Sequence, residues 1–458
     1  MSKKKYFYIE QYVYSNFVNN NILLYNTFTN KFIDVFITNK ELLNFIERVL
    51  LKDNLRTIDV SQEELKNVII AKFINKCRDL FIADIIESDS KPFIMSPIPK
   101  LNQNIRESIK GNSEHVLNAK NMIKELNYFI DSKKTLCTNI KLKANGYKQI
   151  LFPFYNAEID KQLEFLTIEK FLFDMNIQNI EKINIIGNIC SENYNNEILV
   201  FFKNNFIQFH TYYLDFDLNG TFATEILKTK NKSFVFWIDN IIVEDQILKL
   251  NEFVIKNNIY SIFKFIVTNE HEVNQVIEFT NTITLNYELI PFFNQTNIDF
   301  FENNIFNTKK DILNQKLNER EIFSKMYINI LNYGKLYFLP NGAIYSNLNI
   351  NPIGNIINDE LSYTLKNEVL NDNAWFKTRD TILPCKNCIY QFICPPTTNY
   401  EKFINKNNLC HYNPYIAKWQ GEEGYVPVEK CGTYTKEKGF VVNKRKVNTL
   451  NKQIWGEE

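Results

Sequence analysis

The chain has 458 residues, 45% hydrophobic and 14% aromatic, with 53 basic against 52 acidic side chains for a formal net charge of +1. So even a balance gives no electrostatic pull toward nucleic acid or an anionic membrane, and the length suggests about two to four domains. No run approaches the roughly 18 apolar residues of a membrane span, eight cysteines are too few for a disulfide-stapled secreted fold, and MSKKKYFYIEQYVY lacks the apolar core of a signal peptide. A cytoplasmic protein with reduced thiols is expected, without a nucleotide site, since neither G-x-G-x-x-G nor G-x4-G-K-[ST] occurs.

In chain order, YFYIEQYVYSNFV, NNILLYNTF and NKFIDVFI read as three strands joined by short polar turns. NKELLNFIERVLL and SQEELKNVIIAKFINKCRDLF then read as helices with apolar residues three and four apart, the second opened by the capping-box pair Ser61 and Glu64. This pattern resembles the winged-helix leader-recognition element of peptide-maturation enzymes, in which an extended leader adds a strand to the sheet edge. On that resemblance the edge would be Lys31, Phe32, Ile33, Asp34, Val35 and Phe36, beside a helix carrying Phe73 and Ile74. SDSKPFIMSPIPKLNQN, with three prolines, reads as an extended linker that closes a first unit at 1–104.

Between residues 105 and 325 short apolar runs alternate with helical stretches: LNYFID, EKINIIGNI, NFIQFHTYYL, SFVFWI, IFKFIV and LNYELIPFF, with DKQLEFLTIEKFLFDMN among the helical ones. Strands alternating with helices imply βα units and an α/β fold around a parallel sheet, here of six strands. His115, His210 and His271 have no ligand-spaced neighbours and read as packing or surface histidines.

The final unit, 326–458, holds four of the eight cysteines in the array C-x2-C-x5-C-x15-C: Cys385, Cys388, Cys394 and Cys410. Thiolates are soft donors suited to iron-sulfur clusters or zinc, and a two-residue spacer lets neighbouring sulfurs reach one centre. His411 or Cys431 could stand in for Cys410. The basic run Lys444, Arg445 and Lys446 reads as a solvated loop.

GKLYFLPNGAIYSNLNINPIGNI followed by PCKNCIYQFICPP resembles the SPASM domain that follows radical SAM cores in peptide-modifying enzymes, where such a quartet holds an auxiliary [4Fe-4S] cluster. The positions that would ligate a further cluster are Asn347 and Thr398 here. In the middle unit the resemblance is to a radical SAM partial (β/α)6 barrel. There a C-x3-C-x2-C loop would hold the cluster that cleaves S-adenosylmethionine, but the three positions are Cys137, Lys141 and Ala144. The strand end that contacts the methionine group of the cofactor reads Ile186-Gly187-Asn188-Ile189. The whole chain therefore resembles a pseudo-radical-SAM maturase family acting on precursors with a Gly-Gly leader. The resemblance implies one [4Fe-4S] cluster, with zinc as the alternative metal, and no use of S-adenosylmethionine. Its partners would be a precursor leader and a true radical SAM enzyme. Two other functions stay open at this stage, a peptide-modifying enzyme using the single cluster and a structural zinc or iron-sulfur protein.

Overall fold

The computed structural model describes residues 3–93, 120–130, 135–153, 180–190, 207–220, 232–239, 244–371, 373–435 and 439–456. The helical stretch DKQLEFLTIEKFLFDMN, His115 and most of the proline-rich linker lie outside these residues.

The first expected strand is two. β1 (Lys4–Ile9) ends at a turn in which the Val13 amide bonds the Glu10 carbonyl, and β2 (Val13–Val18) starts a different sheet. β2, β3 (Asn21–Asn26) and β4 (Phe32–Phe36) form an antiparallel sheet in the order β2-β3-β4. Asn19 and Asn20, both at positive φ, make the tight turn between β2 and β3, a conformation asparagine tolerates better than most residues. The helices are α1 (Lys40–Leu50), α2 (Gln62–Lys66) and α3 (Val68–Asp79). Ser61 and Glu64 form the expected capping box, but the second helix breaks at Asn67, whose side chain accepts from the amides of Ile69 and Ile70 and so starts α3 afresh. Two further strands, β5 (Thr57–Asp59) and β6 (Ala83–Ser88), flank β1 in the order β5-β1-β6.

The six apolar runs of the middle unit are all strands: β7 (Glu125–Phe129), β8 (Lys182–Ile186), β9 (Ile207–Tyr212), β10 (Lys232–Ile238), β11 (Tyr260–Val267) and β12 (Tyr287–Pro291). They pair in parallel in sequence order, which gives a mixed α/β fold with a large parallel sheet. β13 (Lys335–Phe338) joins β7 in parallel, then β14 (Ala343–Tyr345) and β15 (Gly354–Asn355) return antiparallel, so this nine-stranded sheet runs on past residue 325. Pro340-Asn341-Gly342 makes the turn from β13 to β14. Gly342 has φ +82° there, and a Cβ would meet the Asn355 side chain at 2.9 Å. Among the described residues no helix is long and apolar enough to cross a membrane.

β3 is buried along its whole length. Alternation sends Ile22 and Leu24 into a core with Phe7, Phe45, Phe73 and Ile74, while Leu23 and Tyr25 enter a second core with Ile389, Tyr390, Phe392, Ile393 and Cys394. The N-terminal sheet thus lies directly against the cysteine-rich segment. Lys444, Arg445 and Lys446 are exposed as expected, though on the first turn of the C-terminal helix Lys444–Trp455 and not in a loop.

Candidate metal centre and peptide edge

Cys385, Cys388, Cys394 and Cys410 line one small cavity together with Arg379, Tyr390, Leu409 and Tyr412. Cys385 begins a single 3-10 turn, and the backbone then folds tightly, with the Cys394 amide bonded to the Tyr390 carbonyl at 2.8 Å. Cys410 arrives from a separate segment, through an isolated parallel bridge to Asn307. His411, one residue on, turns away, its Nε2 lying 2.8 Å from the Glu302 carbonyl oxygen. Cys431 is fully buried in another apolar cluster with Tyr415, Ile416, Val428 and Phe440, and accepts from Asn413 Nδ2 at 3.3 Å. Among the described residues no group of three or more His, Cys, Asp or Glu side chains is placed so that it could hold a metal ion as it stands.

The donor chemistry of the cavity suits a soft cation. Its titratable lining is four thiols, one guanidinium and the phenols of Tyr390 and Tyr412, with no carboxylate. Burial pushes all four thiols up, Cys385 and Cys394 to about 12, and for Cys388 the other three add to the effect. Buried protonated thiols become ligands when a cation replaces their protons, so metal affinity and local folding are coupled there. Two buried cations face them. Arg379 donates to Cys385 Sγ at 3.4 Å and pairs with Glu401 at 2.9 Å, and Lys325, pushed down to about 8 chiefly by burial, donates to the Ile393 carbonyl at 3.4 Å. Neither was anticipated from sequence, since no spacing rule ties a lone arginine or lysine to a cysteine array.

The positions matched to a further cluster hold an amide and a hydroxyl side chain, neither a thiol. Asn347 is buried and donates to Asn332 Oδ1 at 3.0 Å and to Asn399 Oδ1 at 2.6 Å, while Thr398 caps the helix Asn399–Ile404 with Glu401. In the middle unit Cys137 is buried and donates to Asp239 at 3.7 Å, a carboxylate that also accepts from the Tyr212 hydroxyl at 2.7 Å. Burial, then Asp239, pushes the Cys137 thiol up to about 12. Lys141 and Ala144 lie on the helix Ile140–Ile150, both exposed, and the Lys141 ammonium donates to the Asn294 carbonyl at 3.1 Å. Gly187, in the strand end 186–189, donates its amide to the His210 carbonyl at 3.0 Å. His210 is buried against Gln208 and held neutral by burial and by Lys264 and Lys182, whereas His271 is exposed.

β4 pairs only with β3 among the described residues, so its other edge is open to a partner strand. Its register decides which amides are available. Ile37 donates to Asn20 and Asn26 donates to Lys31, so with alternation the amides of Ile33 and Val35 face β3 and those of Phe32, Asp34 and Phe36 face outward. Ile33 is buried, Lys31 exposed, and the others half-buried. Asp34 accepts from the Tyr390 hydroxyl at 2.7 Å and pairs with Lys309 at 2.9 Å, and Phe36 stacks on Trp455 at 4.3 Å. Phe73 and Ile74 are core residues at 8% and 2% exposure, so the surface of α3 falls to Val68 and Ile69.

No protein-family model matches the chain. No curated protein matches it either. Solved structures resemble it over 88% of its length and 97% of theirs. Among them are Streptococcus suis SuiB bound to S-adenosylmethionine at 14% identity and TM-score 0.38, SuiB bound to precursor peptide SuiA at 14% and 0.42, and SuiB alone at 13% and 0.38.

Proposed function

We propose that this chain is a non-catalytic component of ribosomal peptide maturation, which binds a precursor leader along β4 and presents the peptide to a partner radical SAM enzyme. The observation that carries the reading is the open edge of β4, with outward amides at Phe32, Asp34 and Phe36, set against the half of the chain that bears the cysteine quartet. Main-chain bonds along such an edge supply affinity, and the flanking side chains supply choice.

The quartet would hold one [4Fe-4S] cluster, with Cys410 as fourth ligand because it lines the cavity while His411 and Cys431 do not. Bound there, such a group supplies electron-transfer or purely structural chemistry. The reading without radical chemistry is supported in the middle unit by the commitment of Cys137 to Asp239 and by the placement of Lys141 and Ala144 on an exposed helix face. A single cluster fits the amide network at Asn347 and the capping role of Thr398.

The test is titration of a synthetic leader, encoded next to this gene, into the full chain purified without oxygen, with iron, acid-labile sulfide and zinc quantified on the same sample. Saturable leader binding with iron and sulfide near four each per chain is expected. A chain that ignores the leader sinks the capture role, and stoichiometric zinc without sulfide replaces the cluster.

A further inference from the structure

The loop that carries two of the thiols also seats the N-terminal sheet. Asn16, on β2, donates its side-chain amide to the carbonyls of Cys388 and Ile389 at 3.3 and 3.0 Å. Tyr390 donates its own backbone amide to Cys388 Sγ at 3.4 Å and its hydroxyl to Asp34 on β4 at 2.7 Å. Leu23 and Tyr25 of β3 share one apolar core with Ile389, Tyr390, Phe392, Ile393 and Cys394, and Tyr412, which lines the cysteine cavity, accepts from Asn21 at 2.6 Å.

We infer that metal loading at the quartet and seating of the β2-β3-β4 sheet are thermodynamically linked through the Cys388–Cys394 loop, with Tyr390 as the positioning residue between them. The inference rests on the metal reading above. The loop is held by turns and no helix or strand ladder, so its backbone gains most from ligands that draw its sulfurs to one centre. Once fixed, it presents the two carbonyls to Asn16 and the hydroxyl to Asp34 in a single arrangement. Linkage is reciprocal: whatever the metal adds to seating, seating adds to metal affinity. Lys309 also pairs with Asp34 and reaches Glu422, and Trp455 stacks on Phe36, so side chains from later in the chain flank β4 as well.

Hydrogen exchange on the full chain, loaded and after oxidative removal of the metal, reads the linkage directly. Metal removal should speed exchange in residues 13–36 by about tenfold or more while α1, in the other core, keeps its protection. Tyr390→Phe, which removes only the hydroxyl, should either speed exchange at β4 in the loaded chain or lower metal retention. Superimposable exchange over 13–36 in loaded and stripped chains overturns the linkage and leaves the metal reading standing. A Tyr390→Phe chain matching the parent in both measurements removes Tyr390 from the route. A chain that never acquires iron or zinc overturns the metal reading and the linkage together.

Discussion

Arg379 and Glu401 form an ion pair at 2.9 Å with side chains only 6% and 3% exposed, and the same guanidinium reaches Cys385 Sγ at 3.4 Å. Its Nε and Nη2 donate to the carbonyls of Pro395 and Pro396, so all three nitrogens of the fork have protein partners. Removing one partner of such a pair strands the other charge, and Arg379→Ala should cost about 3–5 kcal/mol of stability by denaturant unfolding. Because the lost group also faces a thiol, metal content should fall in the same variant.

Single serine replacements should separate the four cavity cysteines from the others. Cys385, Cys388, Cys394 and Cys410 variants should each lose visible absorption and iron, whereas Cys77→Ser, Cys190→Ser and Cys431→Ser should keep both. Retention of a full complement of iron in Cys410→Ser, with its loss in Cys431→Ser, would reassign the fourth ligand.

Incubation with S-adenosylmethionine and a strong reductant should yield no 5'-deoxyadenosine above a protein-free control. Lys141 and Ala144 supply no thiolate, and the Cys137 thiol keeps its proton and donates it to the Asp239 carboxylate.

Proline at Ile33 or Val35 deletes an amide that faces β3, so it should weaken the N-terminal sheet itself, by about 1–3 kcal/mol for a buried carbonyl left without its donor. Exchange protection in β3 would fall in both variants. Equal stability to the parent chain would show the register to be shifted by one residue.

Asp215 accepts from the Thr135 hydroxyl at 2.6 Å and the Leu136 amide at 2.7 Å, yet burial raises its carboxyl to about 6. A group raised on folding favours the native state when protonated. Its contribution is complete below the ordinary carboxylate range and is lost as pH rises through about 6, at most about 3 kcal/mol across that window. Asp215→Asn should flatten the stability profile between pH 4 and 6, as read by thermal melts.

What could be read in advance follows the range of the interaction. The strands β7 to β12 announce themselves as apolar runs, and Ser61 with Glu64 is a contact within one helical turn. The break at Glu10–Tyr12 was hidden because YFYIEQYVYSNFV is rich in aromatic and β-branched residues on both sides of it and holds no glycine or proline, while β5 and β6 are short pieces beside helices whose pattern dominates the window. The quartet was legible from spacing, whereas Tyr390 and Asp34 meet across 356 residues and nothing local marks either one. Asn347 and Thr398 were singled out only as missing ligands. That Asn347 bonds Asn399, the residue next to Thr398, shows the two stretches to be neighbours and an asparagine network to fill the space.

β3, with apolar groups committed on both faces, bears on how such a chain can be rearranged by descent or by engineering. An N-terminal unit that met its neighbour through a polar surface could be cut out, grafted elsewhere or exchanged by recombination at its linker. Here the excised first ninety residues would carry Leu23 and Tyr25 bare to solvent, together with the flank of Phe32, and would be prone to self-association. A soluble graft would need those three positions made polar, and the change would sever it from the cysteine loop. The first and last thirds of this sequence are therefore bound to be inherited together.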